Sequence, residues 1–259
     1  MVYHIINDGW IKIPAADFPL RKDGVIRSDR LLLGVNQLFL RISGKNVLVD
    51  VGLGDKRDYT ELGLLEYQHP RRLLPELAKK GIDPDDIDVV ILTHLHYDHS
   101  GGGTYRSEGG KLAPTFTNAL YYVQRLELEY ADSLEPPDCD GYDSDDYIPL
   151  VESGRMIAVE GDHEVVAGLS VGLAPGHSPG HQVVVAETKQ GVIFFAGDLF
   201  SVVEHANGEI VTVHDLDTDI LLEERGRWLA RATEGRWNTV FCHAVRNPVK
   251  VLGDTNRIQ

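Results

Sequence analysis

The chain has 259 residues, and its 25 basic against 40 acidic side chains leave a formal net charge of -15. That charge repels phosphate backbones and anionic lipid surfaces at long range, so neither nucleic acid nor a membrane surface is expected as a partner. With 42% hydrophobic residues the chain can bury a substantial core, and residues 1–259 make one large globular domain or two small ones.

The two cysteines, Cys139 and Cys242, are too few and too far apart for a disulfide framework or a CxxC metal site, which fits a reducing compartment. The opening MVYHIINDGWIKIP lacks the basic start and apolar core of a signal peptide. No apolar run approaches the roughly 18 residues of a membrane span. A cytoplasmic enzyme is the expectation.

In chain order, GVNQLFLRI and NVLVDVG predict two strands joined into a hairpin at Ser43-Gly44-Lys45. From about residue 69 to residue 80, leucines recur among charges at helical spacing, and Gly81 supplies a stop. DVVILT is a short apolar run of the buried-strand kind. NALYYVQRLELEY reads as strand then helix, and the acidic, proline-containing segment at about 131–150 as a loop-like insertion. RMIAV, GLSVGLA, HQVVVAE and GVIFFAG predict further strands, about 220–232 a helix, and TVFCH a last strand. This order predicts an α/β protein of two βα-type halves, packed sheet against sheet with helices outside.

The segment THLHYDHSGGG follows the predicted strand DVVILT and carries His94, His96, Asp98 and His99. If the strand continues, His94, His96 and Asp98 emerge on one side of it with a period of two. His99 then needs a bend to join them, and Ser100 with Gly101, Gly102 and Gly103 supplies a flexible turn. Imidazole and carboxylate groups suit zinc, iron or manganese, and so many on one segment imply two metals. More ligands must come from other strand ends. His177 in APGHSPGH, Asp198 after GVIFFAG and His243 in TVFCH qualify, and the two oxygens of Asp198 can bridge two ions. His181, at the start of the next strand, reads as a hydrogen-bonding support. His205 and His214 are placed near the mouth of the site; His4, His69 and His163 are read as structural.

With these motifs in this order from about Gly34 to Ala244, the chain resembles the metallo-β-lactamase superfamily. The resemblance implies the four-layer αβ/βα sandwich, with the site in a cleft at one edge between the sheets. It implies that His94, His96 and His177 hold one metal, that Asp98, His99 and His243 hold the other, and that Asp198 bridges them. Asp50 resembles the family's early aspartate, which supports the metal loops. The cofactors implied are two divalent metal ions, zinc first, with iron and manganese as alternatives.

FTNALYYVQRLELEY and GHSPGHQ resemble the branch that contains acyl-homoserine lactonases and related esterases and organophosphate hydrolases. Many such lactonases carry a tyrosine three residues after the bridging aspartate; this chain has Ser201 there. The expected activity is hydrolysis of a small ester or lactone by a hydroxide shared between two metals, with Asp98 and Asp198 as catalytic carboxylates. Ser201, Tyr105, Tyr121 and Tyr122 are candidates to line the cleft. In the resemblance the 131–150 segment supplies a substrate-facing flap, and its acidic side chains would turn polyanions away. A glyoxalase II-like thioesterase, a phosphotriesterase and a non-catalytic small-molecule-binding member remain alternatives. Arg246, Lys250 and Arg257 are too scattered to form a glutathione-binding patch.

Overall fold

The computed structural model describes residues 3–19, 29–57, 72–135, 141–207 and 209–252. The chain builds β1 (Tyr3–Pro14), β2 (Arg30–Ile42) and β3 (Lys45–Val49), then passes through helix α1 (Leu73–Ala78) to β4 (Val89–Ile91) and the short helix α2 (Tyr97–Ser100). A small pair, β5 (Thr104–Arg106) and β6 (Leu112–Pro114), precedes β7 (Leu120–Gln124), helices α3 (Arg125–Ser133) and α4 (Ser144–Glu152), and β8 (Met156–Val159). The second half runs β9 (His163–Val166), β10 (Leu169–Leu173), β11 (Gln182–Thr188), β12 (Gly191–Phe195), helix α5 (Thr218–Glu234), β13 (Asn238–Val240) and β14 (Val249–Val251). Hydrogen bonds join these into two six-stranded sheets, ordered β1-β2-β3-β4-β7-β8 and β14-β13-β12-β11-β10-β9.

A period of two decides which layer each strand side chain joins. Leu38, Leu40, Val47, Val49 and Ile91 of the first sheet meet Val171, Val184, Ile193, Phe195 and Val240 of the second in a buried cluster between the sheets. Their neighbours Phe39, Leu48 and Val90 point the other way and pack with Leu73 and Leu77 of α1, Ala131 of α3 and Leu150 of α4. On the far side, Val183, Val185 and Phe194 pack with Leu221, Trp228 and Ala232 of α5. The resulting order of helices, sheet, sheet and helix is the expected αβ/βα sandwich. Strands buried on both faces lose alternation, so VVI in β4 and VVVA in β11 read as continuous apolar runs. Emptying one such position, as in Phe195→Ala, costs about 3–5 kcal/mol.

Several boundaries differ from the sequence reading. The hairpin turn is Ser43-Gly44, with φ of 50° and 76°, and Lys45 already belongs to β3, opposite Ile42. Two consecutive positive φ values match the right-handed twist of the strands they join. Helix α1 covers only part of the predicted 69–80 span, of which residues 69–71 lie outside the described residues. The 131–150 segment is not simply a loop. It begins inside α3 and ends inside α4, and residues 136–140 lie outside the described residues. Its acidic run opens a helix: Asp143 caps α4 by accepting the Asp145 N–H at 2.8 Å, and Asp145 and Asp146 occupy the first turn.

Strand β1 was not predicted, because Asn7, Asp8 and Gly9 interrupt its apolar pattern where the register with β2 shifts. Strands β9 and β14 were likewise not anticipated. TVFCH leaves the sheet after Val240, so His243 sits beyond the strand. Among the described residues, no helix is long and apolar enough to cross a membrane.

Candidate metal centre

The site lies where the carboxyl ends of several strands meet at one edge of the sandwich. Asp50 follows β3, Thr93 and His94 follow β4, His177 follows β10, Asp198 follows β12 and His243 follows β13. In sheets with parallel strands, side chains just past these ends converge on a common crevice. The two sheets are tied together at this edge. Gln182 N–H donates to Thr93 O at 2.8 Å, and Asn36 Nδ2 donates to the carbonyls of Cys242 and Ala244 at 2.9 and 2.8 Å.

The HxHxDH run converges by a route other than the one expected. Strand β4 stops at Ile91, His96 caps α2 with φ -62° and ψ 144°, and Asp98 and His99 leave on the helical turn. A period of two therefore does not place Asp98; the turn of α2 does. The glycines that follow serve close approach, not flexibility. A Cβ at Gly101 would sit 2.2 Å from Leu53 O, and one at Gly102 would sit 2.0 Å from Val51 O, so only glycine lets this turn lie against the 51–54 backbone.

All seven predicted ligand residues come together. His94 Nε2 and His177 Nε2 lie 3.0 and 3.1 Å from His96 Nδ1. His243 Nε2 and His99 Nε2 lie 3.5 and 3.7 Å from Asp98 Oδ2. Asp198 stands between the two groups. Its Oδ2 is 3.3 Å from His177 Nε2, while its Oδ1 is 3.2 Å from His243 Nε2 and 3.6 Å from His99 Nε2.

Hydrogen bonds on the far side of four of the rings fix which nitrogen faces inward. Asp50 Oδ2 accepts from His99 Nδ1 at 2.7 Å, Asp215 Oδ1 from His177 Nδ1 at 2.8 Å, and Gly34 O from His243 Nδ1 at 2.9 Å. Thr93 Oγ1 lies 3.1 Å from His94 Nδ1 and itself donates to Asp50 Oδ2 at 2.9 Å. Asp50, expected as a support, thus orders the loop through Thr93 N–H (2.8 Å), Thr93 Oγ1 and His99, from a backbone φ of 57°.

His181 also has its expected supporting role. Its Nδ1 donates to Ala174 O at 3.0 Å, leaving Nε2 to accept the Asp198 N–H at 3.0 Å. Burial, helped by the nearby His177, pulls its pKa down to about 3, which keeps that neutral arrangement. Gly197, at φ 54°, makes this contact possible: a Cβ there would sit 2.6 Å from His181 Nε2.

The donor set fits metal ions. Burial, with neighbouring imidazoles, holds His94 and His96 neutral, well below the usual histidine range. Their ring nitrogens face one another at 3.0 Å, close enough for both to turn lone pairs to one ion when one is bound, or for one ring N–H to donate to the other. His99 Nε2 is buried without a hydrogen-bond partner. Burial opposes charge on His99 and His243, yet Asp98 and Asp198 outweigh it and raise both to about 9. Burial likewise opposes the charge of Asp198, but His243, His99 and His177 hold its carboxyl well below the usual range. His94, His96 and His177 form one group that could hold an ion, and His99, Asp198, Cys242 and His243 another.

Three residues of this centre escaped the sequence reading. Glu127, fully buried on α3, accepts from Leu95 N at 2.9 Å, Tyr142 Oη at 2.9 Å, Ser178 Oγ at 2.6 Å and Gly180 N at 3.1 Å. It thereby ties the HxHxDH segment to the GHSPGH loop. Asp215 orients His177. Cys242 lies with Sγ 3.0 Å from Asp198 Oδ1. None carries a local motif; only the buried Glu in the first turn of RLELEY interrupts an otherwise solvated pattern.

Other expected lining residues fall elsewhere. Tyr121 is a core residue whose hydroxyl donates to Gly103 O and accepts the Phe116 N–H. Tyr122 stacks on His163, and Tyr105 is exposed. Ser201 is buried, and its carbonyl accepts the His243 N–H at 2.9 Å. His205 is buried against Phe18, not at the mouth; His214 is exposed. His4 stacks on Phe39 away from the centre. His69 and Arg257 lie outside the described residues.

The 131–150 segment reaches the centre through Tyr142, whose ring packs edge-on to His96 with centroids 4.6 Å apart. Three of its acidic residues are paired with basic side chains. Asp146 pairs with Lys56 at 2.8 Å and Arg57 at 3.1 Å, Asp143 pairs with Arg57, and Asp145 pairs with Arg106 at 2.7 Å. At these three carboxylates the expected repulsion of polyanions is offset by a neighbouring base, while Asp138 and Asp140 of the same segment lie outside the described residues.

The N-acyl homoserine lactonase AiiA of Bacillus thuringiensis subsp. kurstaki is 37% identical over 119 residues, 46% of this chain and 40% of that protein. The chain thus spans less than half the length of this curated relative. A solved N-acyl homoserine lactone hydrolase, with the product N-hexanoyl-L-homoserine bound at its catalytic metal centre, matches with a TM-score of 0.74 at 25% identity, over 94% of this chain and 93% of that one. A probable metal-dependent hydrolase from Staphylococcus aureus shares the fold with a TM-score of 0.83 at 23% identity, over 93% and 88% of the two chains. The superfamily's sequence profile matches residues 30–243, which includes every histidine and carboxylate of the centre, and the chain belongs to the metallo-beta-lactamase superfamily.

Proposed function

We propose that this chain, read as one metallo-β-lactamase-type domain, is a dinuclear metal-dependent hydrolase of small esters or lactones, acyl-homoserine lactones among them. The observation that carries this reading is the placement of Asp198, one oxygen toward the His94, His96 and His177 group and the other toward His99 and His243. His94, His96 and His177 would hold one ion, Asp98, His99 and His243 the other, with Asp198 shared. The nitrogen and oxygen donors suit zinc, with iron or manganese as alternatives.

When bound, such a pair lowers the pKa of water toward neutrality and polarises a carbonyl oxygen. The chain's own residues prepare for this. Asp215, Asp50 and Gly34 O each hold an Nδ1 proton, so His177, His99 and His243 present Nε2 inward. Asp98 keeps a 15% exposed side chain beside His99 and His243, and is the carboxylate assigned to pass a proton to the leaving alkoxide. The lactone assignment is supported by the names of the relatives. Ser201 does not supply the carbonyl donor that the lactonase tyrosine would, since it is buried against the His243 segment.

The test is a hydrolysis panel of acyl-homoserine lactones, aryl esters, thioesters, phosphotriesters and β-lactams, on protein of measured metal content. Lactone or ester turnover that disappears on chelation and returns with zinc is the expected result. Turnover of thioesters alone would assign a glyoxalase II-like activity, and two bound metals without any turnover would assign a binding role.

A further inference from the structure

Cys242 precedes His243 directly, and its side chain is buried between the sheets beside Val240 and Phe195. Its Sγ lies 3.0 Å from Asp198 Oδ1 and 3.2 Å from Gly197 O. Sγ, a nitrogen of His99, an oxygen of Asp198 and a nitrogen of His243 all fall within 4.8 Å of one another. One of these, His99 Nε2, is buried with no hydrogen-bond partner and faces the Asp98 and Asp198 carboxylates at 3.7 and 3.6 Å, so the sulfur stands beside a place that is built for a ligand. Asp198 has its backbone N–H pinned by His181 Nε2, but that bond leaves the rotation of its carboxylate free.

We propose that the Cys242 thiol is a positioning donor to Asp198. Its S–H, given to Oδ1, holds the carboxylate so that Oδ2 meets the His94, His96 and His177 group while Oδ1 meets His99 and His243. Cys242 thereby sets the affinity of the second metal position without ligating it. This rests on the dinuclear reading above.

The surroundings of the sulfur favour donation over ligation. Both of its near neighbours, a carboxylate oxygen and a carbonyl oxygen, are acceptors; the single S–H can serve one of them, the nearer being Asp198 Oδ1, whereas a thiolate would be repelled by both. Cysteine also suits a position that must face an apolar core and still offer one weak donor. A partner that orients a ligating carboxylate typically changes metal affinity 10–100-fold when removed, an effect of about that order being expected here.

The experiment is a cobalt(II) titration of the apo forms of the wild type, Cys242→Ala and Cys242→Ser, followed by absorption spectroscopy and competition with a chelator. Wild type should bind two ions and show no intense sulfur-to-cobalt charge-transfer band. Cys242→Ala should lose about 10–100-fold in affinity at the second position and little at the first. Cys242→Ser, whose hydroxyl can donate to the same oxygen, should stay within a few-fold of wild type. Should the alanine variant fail to fold, the serine variant and the wild-type spectrum decide the matter. A charge-transfer band that vanishes in Cys242→Ser would make the sulfur a ligand and overturn the proposal. Two undiminished affinities in Cys242→Ala would overturn it while leaving the dinuclear reading intact, whereas a wild type that takes up no metal would overturn both.

Discussion

Asp215 Oδ1 lies 2.8 Å from His177 Nδ1, and its Oδ2 accepts the Thr212 N–H at 2.6 Å. The carboxylate is buried, its side chain 1% exposed, and it holds one tautomer of an imidazole 38 residues earlier in the chain. Burial opposes its charge, but the His177 contact keeps its carboxyl below the usual range. Asp215→Ala should therefore weaken metal binding at the His94, His96 and His177 position about 10–100-fold. Calorimetric or competition titration of the apo protein measures this, with the second position as an internal control.

Asp198→Ala should bring the metal content below two ions per chain and abolish hydrolysis. Both effects follow from one loss: the two oxygens that separate and partly neutralise the two groups of donors disappear together. Elemental analysis alongside the hydrolysis panel checks it. Wild-type metal content with wild-type turnover in this variant would remove Asp198 from the bridging role.

Glu127→Ala should destabilise the protein by at least about 3 kcal/mol, because it strands the Leu95 and Gly180 N–H groups and the Ser178 and Tyr142 hydroxyls in a buried region. The loss should also reach the metal centre, since Leu95 lies between His94 and His96 and Ser178 follows His177. Denaturant unfolding of the apo protein and metal titration of the folded fraction separate the two effects.

Lys56 and Asp146 form a buried pair, with side chains 2% and 0% exposed, that fastens the start of α4 to the loop after β3. Lys56→Met leaves the Asp146 carboxylate with Arg57 alone, and removal of one partner of a buried pair costs about 3–5 kcal/mol. The melting temperature should fall accordingly. Binding of single-stranded RNA should stay undetectable at low salt, since the acidic net charge of the chain is unchanged in sign.

Acid should destabilise the apo protein well before the carboxylates titrate. Burial brings His181 and His205 down to about 3, with His177 and Arg225 respectively adding to the effect. Below about pH 6.5 the unfolded chain takes up a proton at each of these positions that the folded chain refuses. Stability therefore falls as pH drops from about 6.5 toward 3, by about 1.4 kcal/mol per pH unit for each histidine. His205→Phe, which keeps an aromatic ring against Phe18, should show a shallower slope in unfolding measured between pH 4 and 7.

The linear sequence was most informative where the physics is local. Apolar runs such as VVI and VVVA predict strands buried on both faces, because such strands lie between layers and need no polar side. His94, His96, His177, Asp198 and His243 were legible because each follows such a run directly, and a strand end is a place whose position in the fold is known in advance. The supporting role of His181 followed from the same placement, and that of Asp50 from the family resemblance. Less legible was the helix α4, whose first turn of aspartates resembles a solvated loop until a cap and two basic partners are in place.

What the sequence determined by itself was the order of most of the core strands and of the helix at 218–234, and the His and Asp groups that lie on or just beyond them. Those depend on spacing within a few residues and on the chemistry of imidazole and carboxylate. Tertiary structure alone decided that Asp215 would reach His177, that Glu127 would join four segments, that Cys242 would face Asp198, and that the acidic residues beside α4 would be neutralised by Lys56, Arg57 and Arg106. These partners lie far apart in the chain, and a hydrogen bond between distant segments leaves no periodic trace. It exists only once strand register and the packing of the two sheets have brought its donor and acceptor within about 3 Å.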